Sequence, residues 1–141
     1  MSLRDQAYYI ADCAYELAGP DHLVDDSAKN SDWENVLLVA AGKKPMCEVG
    51  SDLSAGKIRS LPQVPGLVLA TPRIFLLDEW HTPTLFGKPE HMEAYDQACF
   101  LRNHALDAQA DALFGLAFGY PEDKIARFVV NGIERQATPF S

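Results

Sequence analysis

The sequence predicts an α+β fold: helices at the N-terminus, a small mainly antiparallel sheet, then a long C-terminal helix followed by a short one. Three observations carry this. Apolar residues recur at three- and four-residue spacings over 4–18, and again from Pro89 onward. Between these regions lie short apolar segments split by Gly, Pro and Ser, the pattern of strands and turns. Finally, 141 residues with 48% hydrophobic and 23% charged side chains form a globular composition at the length of one domain. A chain of that length buries about 65–70% of the surface its unfolded form exposes.

The first helix is predicted over 4–18, where Ala7, Ile10, Ala11, Ala14, Tyr15 and Ala18 share a stripe that Gly19-Pro20 ends. A polar, acidic connection follows. Ser31-Asp32-Trp33-Glu34 then has the form of a capping box, in which the serine oxygen accepts the Glu34 amide and the glutamate reaches back. It precedes the apolar run Val36–Ala41 and Gly42, which predicts a second helix over 32–41, with a buried strand over 36–40 as the alternative.

The middle third reads as three or four strands, because Pro62, Pro65 and Pro72 forbid a helix through it. Residues 66–70 and 73–78 are expected to pair as a hairpin around Thr71-Pro72, and 79–88 to form a loop. From Pro89 the helical period runs to Phe114 or Phe118, with Met92, Tyr95, Ala98, Cys99, Ala105, Leu106, Ala112, Leu113 and Leu116 on its apolar side. A last helix is predicted over 121–130, with Ile125, Phe128 and Val129 inward.

Phe86-Gly87-Lys88-Pro89-Glu90 and Phe118-Gly119-Tyr120-Pro121-Glu122 are nearly the same phrase. Proline suits the first helical position, where its missing amide costs nothing. A carboxylate in the first turn meets the positive end of the helix dipole. Likeness ends after Ala94 and Ala126, so the pair marks two helix starts and not a solenoid repeat.

The candidate chemistry is sparse. Asp78, Trp80 and His81 leave the end of an expected strand, and His91 opens the next helix. A carboxylate beside an imidazole makes a general base, and an indole makes a stacking wall, so this is the candidate ligand pocket. The stronger reading is a loop whose tryptophan packs over the core edge while the histidine faces water. His104 and Asp107 at i, i+3, with Asp111 one turn further, form the candidate metal set. Bundle di-metal sites use Glu-x-x-His repeated on partner helices, whereas His-x-x-Asp occurs here once. A solvated acidic face is the stronger reading. No G-x-S-x-G, P-loop or G-x-G-x-x-G sequence occurs, and no cofactor is expected.

Cys13, Cys47 and Cys99 are widely spaced without a C-x-x-C pair, so they read as small hydrophobes, Cys47 beside Lys43-Lys44 being the one candidate for a reactive thiol. A net charge of −8 with scattered bases argues against nucleic acid. The lack of an 18-residue apolar run or of a leader-like N-terminus argues against a membrane and for a cytoplasmic location.

Residues 36–130, through "LLVAAGKKPMCEV" and "LFGLAFGYPEDKIARF", resemble an uncharacterised prokaryotic small-domain family with a Gly-Tyr-Pro turn followed by paired cysteines. The resemblance implies a compact α+β domain and no known activity. Asp123 and Lys124 stand where the family's thiols fall, so no cysteine chemistry carries over.

The function read from the sequence is a non-enzymatic binding or accessory domain. Self-association through the alanine-rich face of the long helix is the expected route to a homodimer. The alternatives are a small enzyme or ligand-binding protein with a pocket at Trp80, His81 and His91, and an acidic inhibitor that occupies a basic surface on a partner.

Overall fold

Serine hydroxyls start three of the helices. In the computed structural model, which describes residues 1–20, 30–50, 53–79 and 82–137, Ser2 Oγ accepts the Asp5 amide at 3.0 Å and opens α1 (Leu3–Asp12). Ser31 Oγ accepts the Glu34 amide at 3.1 Å and opens α3 (Asp32–Ala40). The Glu34 carboxylate returns to the Ser31 hydroxyl at 3.0 Å, so the capping box closes through the side chain. Ser54 Oγ accepts the Lys57 amide at 3.1 Å and opens α4 (Ala55–Arg59).

The fold is α+β, as the sequence predicts. Strands β1 (Met46–Val49), β2 (Val68–Ala70) and β3 (Thr84–Gly87) form one antiparallel sheet in the order β1-β3-β2. Register places Cys47, Phe86 and Leu69 in one row, and Glu48, Leu85 and Ala70 in the next. Because side chains alternate across a strand, the rows face opposite ways. Cys47 and Phe86 are buried with Val36, Val39, Ala40 and Ile58, so α3 and α4 cover that face. Met46 and Leu85 are buried among the helices on the other face.

That helical layer contains α1, α2 (Ala14–Ala18), α5 (Pro89–Asn103), α6 (Asp107–Ala117) and α7 (Glu122–Ala137). α1 and α5 pack on α6, and α2 and α6 on α7. Both predicted helix starts are found: Pro89 is in the first turn of α5, and the Pro121 carbonyl accepts the Ile125 amide at 3.0 Å as α7 begins.

Several elements differ from expectation, each for a local reason. The N-terminal helix breaks at Cys13, yet Ala7, Ile10 and Ala14 stay on one buried side. Residues 55–59, inside the middle third that reads as strands and turns, form a single helical turn because Ser54 caps it. Residues 73–78 do not pair with β2; β3, expected within a loop, takes that place. Three amides of 73–78 find side chains of α5 instead. Asp96 accepts from Arg73 at 2.8 Å and from Ile74 at 3.3 Å. Asn103 accepts from Leu77 at 3.0 Å and donates to the Phe75 carbonyl at 2.6 Å. Backbone groups that a ladder would satisfy are satisfied by a helix, so the segment lies as a strap along α5.

The long helix is divided. Ala105 takes φ 61°, and Leu106 donates back to the Leu101 carbonyl at 3.0 Å, so the chain reverses and α6 folds against α5. The last helix runs on to Ala137, past Asn131-Gly132. Its buried positions are Ile125, Ala126, Val129 and Val130, spaced by one, three and four residues, which turns Phe128 outward at 55% exposure. The alanine face offered for self-association is used internally: Ala94, Ala98, Ala110, Ala112 and Ala117 are all buried. Small residues let α5, α6 and α1 approach closely, so these five alanines meet helices of the same chain.

Candidate functional site

The reversal at Ala105 builds a cleft. The last turn of α5, the first turns of α6, the second half of α7 and the end of the 73–78 strap enclose about 670 Å³. Arg102 is its central side chain. One guanidinium nitrogen, Nη2, bonds Asp111 Oδ1, and Nε lies 3.8 Å from Asp107 Oδ1. That Nε is buried and has no hydrogen-bond partner. The Phe114 ring lies 5.5 Å beneath the guanidinium carbon, a cation–π arrangement. Asp107 Oδ2 accepts from Gln136 of α7 at 2.8 Å. One chain of polar contacts therefore joins α5, α6 and α7.

Gly132 permits the close approach, since a Cβ there would stand 3.2 Å from Asp111 Oδ2. Burial raises the Asp111 carboxyl above its usual range; Arg102 pulls it down, while Asp107 pushes it further up. Leu77 and Phe128 form the apolar part of the rim, at 84% and 55% exposure. Asp78 and Arg135 line the opening with charges of opposite sign.

The residues singled out from the sequence part company here. Asp78, Asp107 and Asp111 do line the cleft. His104 does not: its Nδ1 lies 2.8 Å from the Phe100 carbonyl and its ring stacks on Phe100 at 4.2 Å. The expected His104–Asp107–Asp111 ligand face needed a continuous helix, and the turn at 104–106 removes it. Among the described residues no group of three or more His, Cys, Asp or Glu is placed to hold a metal ion. Trp80 and His81 lie outside the described residues. His91 sits in the first turn of α5, its Nδ1 3.1 Å from the Ala117 carbonyl. Asp78 follows Leu77, which is bonded to Asn103 at the far end of the same helix. At 1.5 Å per residue those ends are about 18 Å apart, so Asp78 and His91 do not share a pocket.

A second cavity of about 150 Å³ lies between the strap, Thr82-Pro83, and Tyr95 and Cys99 of α5. Tyr95 donates to Glu48 Oε1 at 3.0 Å and packs edge-on against Phe114 and Phe118. Burial, followed by the negative charge of Glu48, raises its phenol.

Arg102, Gln136, Gly132 and Phe128 were not flagged by spacing. Arg102 and Asp111 are nine residues apart, so no single-helix face brings them together; only the turn does. An arginine inside an otherwise acidic stripe was the one available signal.

Cys47 is not a reactive thiol. It is buried against α3, and burial pushes it up to about 11 despite the nearby Lys44. Cys99 is pushed by burial to about 12. A raised folded value stabilises fully below the unfolded value of 9.0, and that contribution is lost as pH climbs to about 11. Between pH 8 and 10.5, Cys47→Ala is expected to lose about 1–2 kcal/mol less stability than the parent, read by urea unfolding at both pH values. Equal losses would mean that Cys47 ionises as readily folded as unfolded.

Among the described residues no helix is long and apolar enough to cross a membrane. Comparison with protein-family models, with curated proteins and with solved structures finds no match.

Proposed function

We propose that this chain is a non-enzymatic binding domain that holds a small amphipathic ligand in the cleft between α5, α6 and α7. The observation that carries this reading is the combination of an open 670 Å³ cleft, apolar rim residues and a fixed polar wall. Binding sites tend to be concave, with apolar lining and a few well-placed polar groups that set orientation. Arg102, Asp107, Asp111 and Gln136 hold one another in place, so the wall needs little ordering when a ligand enters. Leu77 and Phe128 supply surface that a ligand's apolar end would cover.

Among the described residues, the histidines and buried thiols favour binding over turnover. His91 and His104 each direct Nδ1 at a backbone carbonyl, and the Cys47 and Cys99 thiols are held neutral by burial. The test is a fragment screen by protein-observed NMR on the full chain. Ligands that combine an aromatic or aliphatic end with an amide or amine are expected to shift the amides of Asn103, Asp107, Phe128 and Gly132. Phe128→Ser should weaken them about fivefold or more while leaving stability within about 0.5 kcal/mol, because that ring is exposed. Fragments that bind only elsewhere, or that ignore Phe128→Ser, would remove the cleft from consideration.

A further inference from the structure

The outward face of the N-terminal helices is unusual in what it carries. Ala7, Ile10 and Ala14 point inward, where α1 packs on α6 and α2 packs on α7. The opposite side presents Asp5, Tyr8, Tyr9, Asp12, Tyr15 and Glu16, all exposed. Spacings of three and four residues put Asp5, Tyr8, Tyr9 and Asp12 on one side of α1, and Tyr15 and Glu16 follow them, also exposed, in α2. Tyr8, Tyr9 and Tyr15 are 39%, 50% and 51% exposed. A solvated helix face is ordinarily filled with Lys, Glu and Gln; this one alternates phenol rings with carboxylates, and Arg4 is the single base in residues 1–20.

Single exposed aromatics are common and call for no explanation. A cluster interleaved with carboxylates is different, because both parts select the same chemistry. The face of a tyrosine ring attracts a cation, and a planar guanidinium both stacks on it and forks onto a carboxylate. Tyrosine is also enriched where proteins meet, since it adds a large contact area at little entropic cost. The net charge of −8 adds long-range attraction for a basic partner.

We infer that the outer face of α1 and α2 docks an arginine-rich segment of a partner protein, with guanidinium groups seated between Tyr8, Tyr9 and Tyr15 and paired with Asp5, Asp12 and Glu16. This surface is formed by residues apart from the cleft, and the two stand or fall separately. The occupant is set by charge and ring chemistry together: a second copy of this chain would bring carboxylates against carboxylates, and an apolar helix would leave Asp12 without a partner beneath it.

The experiment uses the full chain with nona-arginine, nona-lysine and nona-glutamate peptides, followed by calorimetry and amide shifts. Nona-arginine is expected to bind in the micromolar range with shifts confined to residues 4–18. It should bind several times more tightly than nona-lysine, and nona-glutamate should not bind. Tyr8→Leu/Tyr9→Leu should weaken nona-arginine about tenfold and abolish its advantage over nona-lysine, with an unchanged circular dichroism melt. Asp12→Asn/Glu16→Gln should weaken both basic peptides and flatten the salt dependence. Equal affinity for the two basic peptides, or a tyrosine variant that binds like the parent, would reduce the interaction to diffuse charge and overturn the proposal. So would shifts centred on another surface, or sedimentation showing a dimer that the tyrosine substitutions dissolve.

Discussion

Replacing Gly87 by alanine is expected to lower the unfolding free energy by about 3 kcal/mol or more, at the upper end of overpacking effects. A Cβ at Gly87 would stand 2.3 Å from the Pro45 carbonyl oxygen and 2.6 Å from Met46 Cα. Both are backbone atoms of the chain entering β1, and Lys88 donates to that same Pro45 oxygen at 3.0 Å. Relief requires β1 and β3 to part where Met46 faces Gly87, which disturbs the face on which Met46 and Leu85 are buried. Gly119 meets the ring of the same proline. Its Cβ would lie 2.4 Å from Pro45 Cδ, and its φ of +82° adds the left-handed cost of about 1–2 kcal/mol.

The two clashes differ in kind, and that makes the expectation sharp. Pro45→Ala removes the ring that Gly119→Ala would strike, so the Gly119→Ala/Pro45→Ala pair should recover the steric part and keep only the backbone cost. It should not rescue Gly87→Ala, whose obstacle is a carbonyl. Urea unfolding of the single and double variants reads both effects. A Gly87→Ala chain within about 1 kcal/mol of the parent would mean that the strands separate there at little cost.

This contact also explains the repeated Phe-Gly-x-Pro-Glu phrase. Its proline and glutamate start helices, as the sequence alone argues, because those preferences are local. The glycines serve a non-local purpose: both junctions close on Pro45, one on its carbonyl oxygen and the other on its ring. No spacing rule connects residue 45 to residues 87 and 119. The Phe side chains diverge too, since Phe86 lies between sheet and α3 while Phe118 packs edge-on against Tyr95.

The same division between local and non-local runs through the rest of the fold. The Ser31 cap, the helix with Val36 and Val39 buried, and the α+β class were legible because capping and periodicity act over a few residues. The strap at 73–78 was not. Its composition suits a strand, but Asp96 and Asn103 claim its backbone from more than twenty residues away. The turn at 104–106 carries no glycine or proline; alanine takes the left-handed conformation there and packing of α6 on α5 sustains it. That unannounced turn is why Asp107 and Asp111 were found but their partner Arg102 was not, and why His104 was grouped with them.

Arg102→Met is expected to cost about 2–3 kcal/mol at pH 7, below the 3–5 of a fully buried pair because the arginine is partly exposed. The loss falls on Asp111, whose side chain is 12% exposed and would keep its charge without a partner. Burial already raises that carboxyl, and Arg102 is the main influence drawing it down. Without Arg102 it rises further. A folded value above the unfolded one, near 3.9, destabilises progressively as pH climbs through the folded value and has no effect below the unfolded one. The deficit of Arg102→Met should therefore be largest at pH 7 and shrink towards pH 4, as Asp111 takes up its proton. Arg102→Met/Asp111→Leu removes both charges and should recover most of the loss at pH 7, the usual result when a buried pair is exchanged for apolar volume. Urea unfolding at the two pH values separates this from a packing effect. Arg102 also lays its guanidinium over Phe114, and a deficit that stays constant from pH 4 to pH 7 would assign its contribution to that ring instead of to the carboxylate.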